Sequence, residues 1–181
     1  MSTRDRLAVL ALFGCAAFSL PADAERLSLG SSVAASSIEA WDIDVRPDGT
    51  GLPRGRGGVR DGSAIYAAKC MACHGPDGAG GPMDPLVGGR GTLASGKPVK
   101  TVGSYWPYAT TIFDFVRRAM PFDRPQSLSA DEVYALVAFL LYRNGIIGPD
   151  VEMNMDTLPQ VIMPNRNGFT GDTRPDVGHV Q

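Results

Sequence analysis

The sequence predicts an all-α domain of a few helices over residues 61–145, with extended arms at 25–60 and 146–181. Three observations predict it. Apolar residues recur at helical spacing in three short segments, two of them opened by capping patterns. The stretch between the first and second segments, residues 75–109, is too rich in Gly and Pro to be regular. The flanks hold no sustained period of helix or strand.

The first residues form a different kind of segment. Arg4 and Arg6 precede an apolar run from Leu7 to Leu20, and Pro21-Ala22-Asp23-Ala24 follows, which is the pattern of a secretory signal peptide over 1–24 with cleavage after Ala24. The run is shorter than the roughly 20 residues a bilayer requires, so no membrane span is expected. Leu12-Phe13-Gly14-Cys15 loosely matches a lipoprotein processing site, which would leave a lipid anchor on Cys15; the better Ala-x-Ala site downstream makes this the lesser reading. Cleavage after Ala24 leaves Cys70 and Cys73 as the remaining thiols, with no odd cysteine in an oxidising compartment, and the expected location is periplasmic. A net charge of −2 lacks the basic footprint of a nucleic-acid binder.

From Glu25 to Arg60 the chain is rich in Ser, Gly, Pro and Arg and reads as a lead-in lying on the domain surface. A first helix is expected from Asp61, which would cap it, with Ala64, Ala68 and Met71 on one face. The following loop, with Gly78, Gly80, Gly81, Pro82, Pro85 and Gly88 among its breakers, is long for a compact domain and calls for a bound group to wrap. Thr111 to Asp114 resembles a capping box for a second helix whose apolar face is Ile112, Phe115, Val116 and Ala119, stopping at Met120-Pro121. Ser129-Ala130-Asp131-Glu132 opens a third, with Val133, Leu136, Val137, Leu140 and Leu141 as its core stripe and Asn144-Gly145 as its end. The tail from 146 reads as an extended arm that frays at its end.

Cys70-Met71-Ala72-Cys73-His74 carries the chemistry. Two thiols at this spacing can bond both vinyl groups of a haem while the adjacent imidazole reaches its iron. A redox CxxC or half a zinc site would need a βαβ pattern or a second Cys/His cluster, and the sequence offers neither. One such motif implies one covalent haem c. The opposite axial ligand is sought among His179 and the methionines at 71, 83, 120, 153, 155 and 163. Met120, between two helices and ahead of a proline, is the first choice and Met83 the reserve; the others read as gap fillers or surface residues. Arg90, Tyr105 and Trp106 are candidate donors to the haem propionates, each able to cover the ring edge with its apolar part.

The helix running into CMACH, the Met120-Pro121 turn and the capped last helix together resemble class I cytochromes c over residues 61–145, implying a fold of a few helices around one covalent haem. The stretches Ala40–Gly49, Leu86–Gly91, Ser104–Thr111, Arg118–Phe122 and Met163–Gly168 are similar to the cytochrome subunits of bacterial sulfite dehydrogenase and sulfane dehydrogenase. That resemblance implies His74 and Met120 as iron ligands, a separate molybdenum-cofactor subunit that oxidises a sulfur compound and delivers electrons, and a small cytochrome c or oxidase downstream. The sulfane dehydrogenase cytochrome is a two-haem chain, whereas a single CxxCH stands here, which inclines the expectation toward the sulfite dehydrogenase type. The chain itself would relay electrons without catalysing. A freely diffusing carrier is the competing reading, and a haem sensor or peroxidase, which needs an open axial position, the third.

Overall fold

The structure, a computed structural model, describes residues 29–39, 41–172 and 174. The expected signal segment, Cys15 and His179 lie outside these residues. The chain divides into two units, Met1–Ile38 and Glu39–Gln181. The described part of the first holds most of a short helix, α1 (Ala35–Glu39), with no buried side chain.

The second unit contains strand β1 (Arg56–Gly58), helix α2 (Val59–Lys69), a single helical turn α3 (Met71–His74), helices α4 (Ala109–Ala119) and α5 (Ala130–Arg143), and strand β2 (Glu152–Asn154). Short 3-10 turns stand at Pro76–Gly78 and Leu158–Gln160. Helix α5 is the axis of the fold. Its capping box is complete: Ser129 Oγ accepts from the Glu132 amide at 3.2 Å, and Glu132 Oε2 accepts from the Ser129 amide at 2.9 Å. All nine residues from Val133 to Leu141 are buried. A helix apolar on every side must be covered on every side, and α2, α4 and the β1–β2 pair supply that cover.

The backbones of α2 and α5 meet at Gly62, where an added Cβ would lie 1.9 Å from the Ala135 carbonyl oxygen. Beyond that crossing the rings of Tyr66 and Phe139 pack at 5.0 Å between centroids. The crossing selects the inner face of α2, which is Val59, Gly62 and Tyr66. The expected face of Ala64, Ala68 and Met71 is exposed. Small alanines give too weak a stripe to set the orientation against such close backbone contact. Helix α2 also starts at Val59, with Gly58 as N-cap and Asp61 inside its first turn making no cap bond.

Helix α4 begins two residues before the expected capping box. Thr111 Oγ1 donates to the Tyr108 carbonyl at 2.8 Å, and Asp114 is turned to a tertiary partner, accepting from the Val45 amide at 2.8 Å. Phe113 of α4 packs on Tyr134 of α5, with ring centroids 4.5 Å apart.

Strands β1 and β2 pair antiparallel, Gly57 opposite Met153, so the two arms meet beside α5. The helical fold therefore carries a small two-stranded ribbon. Strands of three residues are too short to show a period in sequence. Met153 of the ribbon, and Leu158 and Met163 past it, are buried in the same core as α5, so the C-terminal arm is part of the packed unit at least to Met163. The lead-in is likewise tied down, with Val45 and Leu52 buried and the Pro53 carbonyl accepting from Tyr134 Oη at 2.9 Å.

The Gly/Pro-rich loop is pinned at the end of α5 by buried Asn144. Its Nδ2 donates to the Leu86 carbonyl at 3.1 Å and its Oδ1 accepts from the Gly88 amide at 3.1 Å. Asn144→Leu removes the side-chain partner of the Gly88 amide and one of two donors to the Leu86 carbonyl, which also accepts from the Val102 amide at 3.2 Å. With each part-buried hydrogen bond contributing about 0.5–1.5 kcal/mol, we expect urea denaturation of the haem-loaded protein to show a loss of about 1–3 kcal/mol.

Candidate haem site

The CMACH segment sits at the junction of two helical pieces. Cys70 closes α2, its amide bonded to the Tyr66 carbonyl, and opens the α3 turn that carries Cys73 and His74. The chain then reverses at Gly75 (φ +75°), where a Cβ would fall 2.0 Å from the Gly80 carbonyl oxygen. The reversal is locked by the Gly80 amide donating to His74 O at 2.9 Å and the Met83 amide donating to Cys73 O at 2.9 Å. Tyr66 Oη donates to the Gly75 carbonyl at 2.8 Å.

This geometry delivers the Asp84 carbonyl to the imidazole, with His74 Nδ1 2.9 Å from it. A carbonyl can only accept, so Nδ1 carries the proton in the neutral ring and Nε2 presents a lone pair. An N–H bonded to a backbone carbonyl is the support that orients metal-ligating histidines.

Cys70 is half-buried and Cys73 exposed, and neither is in a disulfide. Burial pushes the Cys70 thiol up to about 11, with the Lys69 charge opposing and Cys73 adding to the rise. Redox-active CxxC pairs depend on a lowered thiol pKa, so Cys70 is poorly suited to disulfide exchange. Among the described residues no group of three His, Cys, Asp or Glu side chains could hold a metal ion.

Cys70, Cys73 and His74 line a cavity of about 400 Å³. Leu86, Val102, Ile112, Val116, Leu136 and Leu140 supply apolar lining, and Met120, Pro121 and Phe122 line it as well. The volume falls within the range of cofactor pockets, roughly 300–1,000 Å³. An apolar slot offering two thiols, an imidazole nitrogen and thioethers fits a covalently held haem. A hard-metal site would call for oxygen donors, and a zinc site for a closed set of four ligands.

The structure thus brings Cys70, Cys73, His74, Trp106 and Met120 to one cavity, along with Met83. It does not bring Arg90 or Tyr105 there. Arg90 lines a separate pocket of about 280 Å³ with Leu93, Ser104 and Asn165. Tyr105 packs edge-on against Phe169 at 5.2 Å, with Lys100 Nζ 5.0 Å above its ring. Neighbours in sequence, Tyr105 and Trp106 leave the turn after Thr101 in different directions, so adjacency did not make them one site. Met153 and Met163 are core residues, and Met71 and Met155 are exposed. Tyr66 and Phe122 also line the cavity, with no sequence pattern to mark them for it. Phe115, expected on the core face of its helix, lines the cavity too and is 45% exposed.

A family model described as cytochrome C oxidase, cbb3-type, subunit III, matches residues 57–140. The thiosulfate dehydrogenase of Allochromatium vinosum is 29% identical over 121 residues, which cover 62% of this chain and 38% of that protein. This chain therefore spans well under half of that relative. A chain in the crystal structure of the sulfane dehydrogenase SoxCD from Paracoccus pantotrophus is 45% identical, with a TM-score of 0.76 over 83% of this chain and 75% of that one. The chain belongs to the class I c-type cytochromes and is related to cytochromes of the sulfur-oxidising Sox system. As a cytochrome c it binds haem c and transfers electrons. No described helix is long and apolar enough to cross a membrane.

Proposed function

We propose that the chain holds a single haem c through thioether bonds from Cys70 and Cys73, with His74 Nε2 and Met120 Sδ as axial ligands. The hydrogen bond from His74 Nδ1 to the Asp84 carbonyl carries this reading, because it sets the tautomer a ligand needs. Two methionines reach the cavity, and their backbones distinguish them. Met83 is bonded to Cys73 and adjoins Asp84, so it shares the attachment side with His74, whereas Met120 enters from the end of α4. Trp106, half-buried against the core, is the propionate donor and ring cover that fits this cavity. The haem supplies one-electron chemistry, and a Met/His pair raises its potential relative to two histidines.

In this reading the protein is the electron-accepting subunit of a periplasmic molybdenum-cofactor dehydrogenase that oxidises sulfite. Oxidising sulfite to sulfate with water releases an electron pair, and one haem passes those electrons on singly, to a small cytochrome c or an oxidase. The sequence similarity to sulfane dehydrogenase and thiosulfate dehydrogenase supports a sulfur compound as the ultimate donor. The 45% identity to a SoxCD chain favours, as a second reading, a partner that oxidises sulfane sulfur.

The test is to isolate the tagged protein from its native host with its bound partners, add sulfite, and follow the haem absorption. Rapid reduction with a molybdenum protein in the sample is expected. Reduction by protein-bound sulfane sulfur but not by sulfite would transfer the assignment to the second reading. Reduction by dithionite alone, with a molybdenum partner present, would overturn both.

A further inference from the structure

Helix α4 forms one wall of the haem cavity, and its two faces do different things. At 100° per residue, Ile112, Phe115, Val116 and the following Met120 lie on one side, and Thr110, Asp114, Arg117 and Arg118 on the other. The first side lines the cavity. The second side is fastened to the segment 43–47 at three points. The Val45 amide donates to Asp114 Oδ1 at 2.8 Å, Arg117 Nη1 donates to the Ile43 carbonyl at 3.1 Å, and Thr110 Oγ1 donates to the Pro47 carbonyl at 3.0 Å. Asp114 is the centre of this set, buried with only 8% of its surface exposed. It also pairs with Arg118 one turn on, whose Nε donates to its Oδ1 at 3.0 Å. Val45 itself is buried, which anchors the segment from its own side.

We infer that Asp114, by clamping residues 43–47 to the outer face of α4, is a positioning residue that holds Met120 at the iron. This rests on the reading of Met120 as axial ligand. Met120 follows directly on α4, its amide bonded to the Val116 carbonyl at 3.1 Å, and the next residue is Pro121. A helix end followed by proline leaves the ligand little independent freedom, so the placement of Met120 follows the placement of α4. Van der Waals packing on the cavity side tolerates small slides of a helix. The directional bonds on the outer side do not, because a buried carboxylate and amide lose much when separated. The clamp therefore converts the docking of an arm remote from the haem into stiffness at the iron.

The experiment compares haem-loaded wild type with Asp114→Ala, Asp114→Asn, Arg117→Met and Asp131→Ala. Asp131 Oδ1 accepts from the Arg56 amide at 2.8 Å, so it is an arm-to-helix bond of the same kind on α5 instead of α4. Two signals are read: the far-red charge-transfer band of methionine-ligated ferric haem, and the rate at which added imidazole displaces the axial ligand. Asp114→Ala is expected to weaken the band and speed displacement by about tenfold, the low end of what losing outer support costs a ligated metal. Asp114→Asn, which keeps an acceptor for Val45 but not the charge, should lie between. Asp131→Ala, which removes the acceptor for the Arg56 amide, should match wild type in both signals. Should Asp114→Ala fail to fold, Arg117→Met is read in its place with the same expected direction.

Unchanged displacement in the Asp114 and Arg117 variants would overturn the inference, and so would an equal acceleration in Asp131→Ala, which would mark general loosening. If wild type lacks the band, or keeps it in Met120→Ala, the ligand assignment fails first and is told apart from a failure of the clamp alone.

Discussion

Met120→His lowers the haem reduction potential by a substantial part of the roughly 0.8 V range that axial ligands command, and abolishes the methionine charge-transfer band. The direction follows from electron donation. A thioether is a soft, weakly donating ligand that favours ferrous iron, whereas imidazole stabilises ferric iron. Met83→Ala, made at the second methionine of the same cavity, is expected to leave both signals close to wild type, because Met83 stands on the attachment side through its backbone bond to Cys73. Redox titration of the two variants with absorption spectra separates the assignments directly. A large shift in Met83→Ala and none in Met120→His would exchange their roles. Functionally, a fall in potential at Met120 makes the haem a poorer acceptor, so reduction by the proposed molybdenum partner should slow even where docking is untouched.

The parts of this site that were legible in sequence are those whose chemistry depends on local spacing. Cys70, Cys73 and His74 lie within one turn, so their juxtaposition needs no tertiary information. The capping box at Ser129 and Glu132 is likewise a pattern of neighbours, and α5 begins and ends where its residues indicate. That Met120 reaches the cavity was legible for a weaker reason, a position at a helix stop ahead of proline.

What was not legible depends on contacts far apart along the chain. Asp114 has the right residue type for a helix start, but its partner is Val45, 69 residues away, and that bond outweighs the local one. The inner face of α2 is set by Gly62, a residue with no side chain to register in an apolar pattern. The pairing of β1 with β2 rests on three residues from each arm. Arg90 and Tyr105 have chemistry suited to a propionate, yet Arg90, between the turns at Gly89 (φ +71°) and Gly91 (φ +75°), lines a separate pocket, and Tyr105 packs on Phe169 beneath Lys100. Residue type proposes a role, but the path of the backbone decides whether it can be filled.

Gly62→Ala shows how strongly that path is constrained, and we expect it to be a severely damaging single-methyl change. The added Cβ would stand 1.9 Å from the Ala135 carbonyl oxygen and 2.8 Å from Phe139 Cβ. The nearest atom belongs to helix backbone, so no side chain can rotate away, and α2 must shift on α5. Overpacking of this kind costs about 1–3 kcal/mol, sometimes more. The better helix propensity of alanine returns at most about 1 kcal/mol, and because the clash is with backbone we expect a net loss of about 2–3 kcal/mol. For a chain of this size that is a fall in Tm of roughly 5–10 °C. Gly58→Ala is the control, since a Cβ there meets nothing within 4 Å and glycine at an N-cap gives way to alanine for well under 2 kcal/mol. Thermal unfolding of both haem-loaded variants, followed by circular dichroism and haem absorption, measures the difference. A Gly62 variant no less stable than the Gly58 control would show that α2 can slide on α5, and the close crossing would then not be what holds the attachment helix in place. A large loss has a consequence at the site as well. Cys70 is both the C-cap of α2 and the N-cap of the turn bearing His74, so a displaced α2 should also loosen the bond between His74 and the Asp84 carbonyl, broadening the haem spectrum below the unfolding temperature.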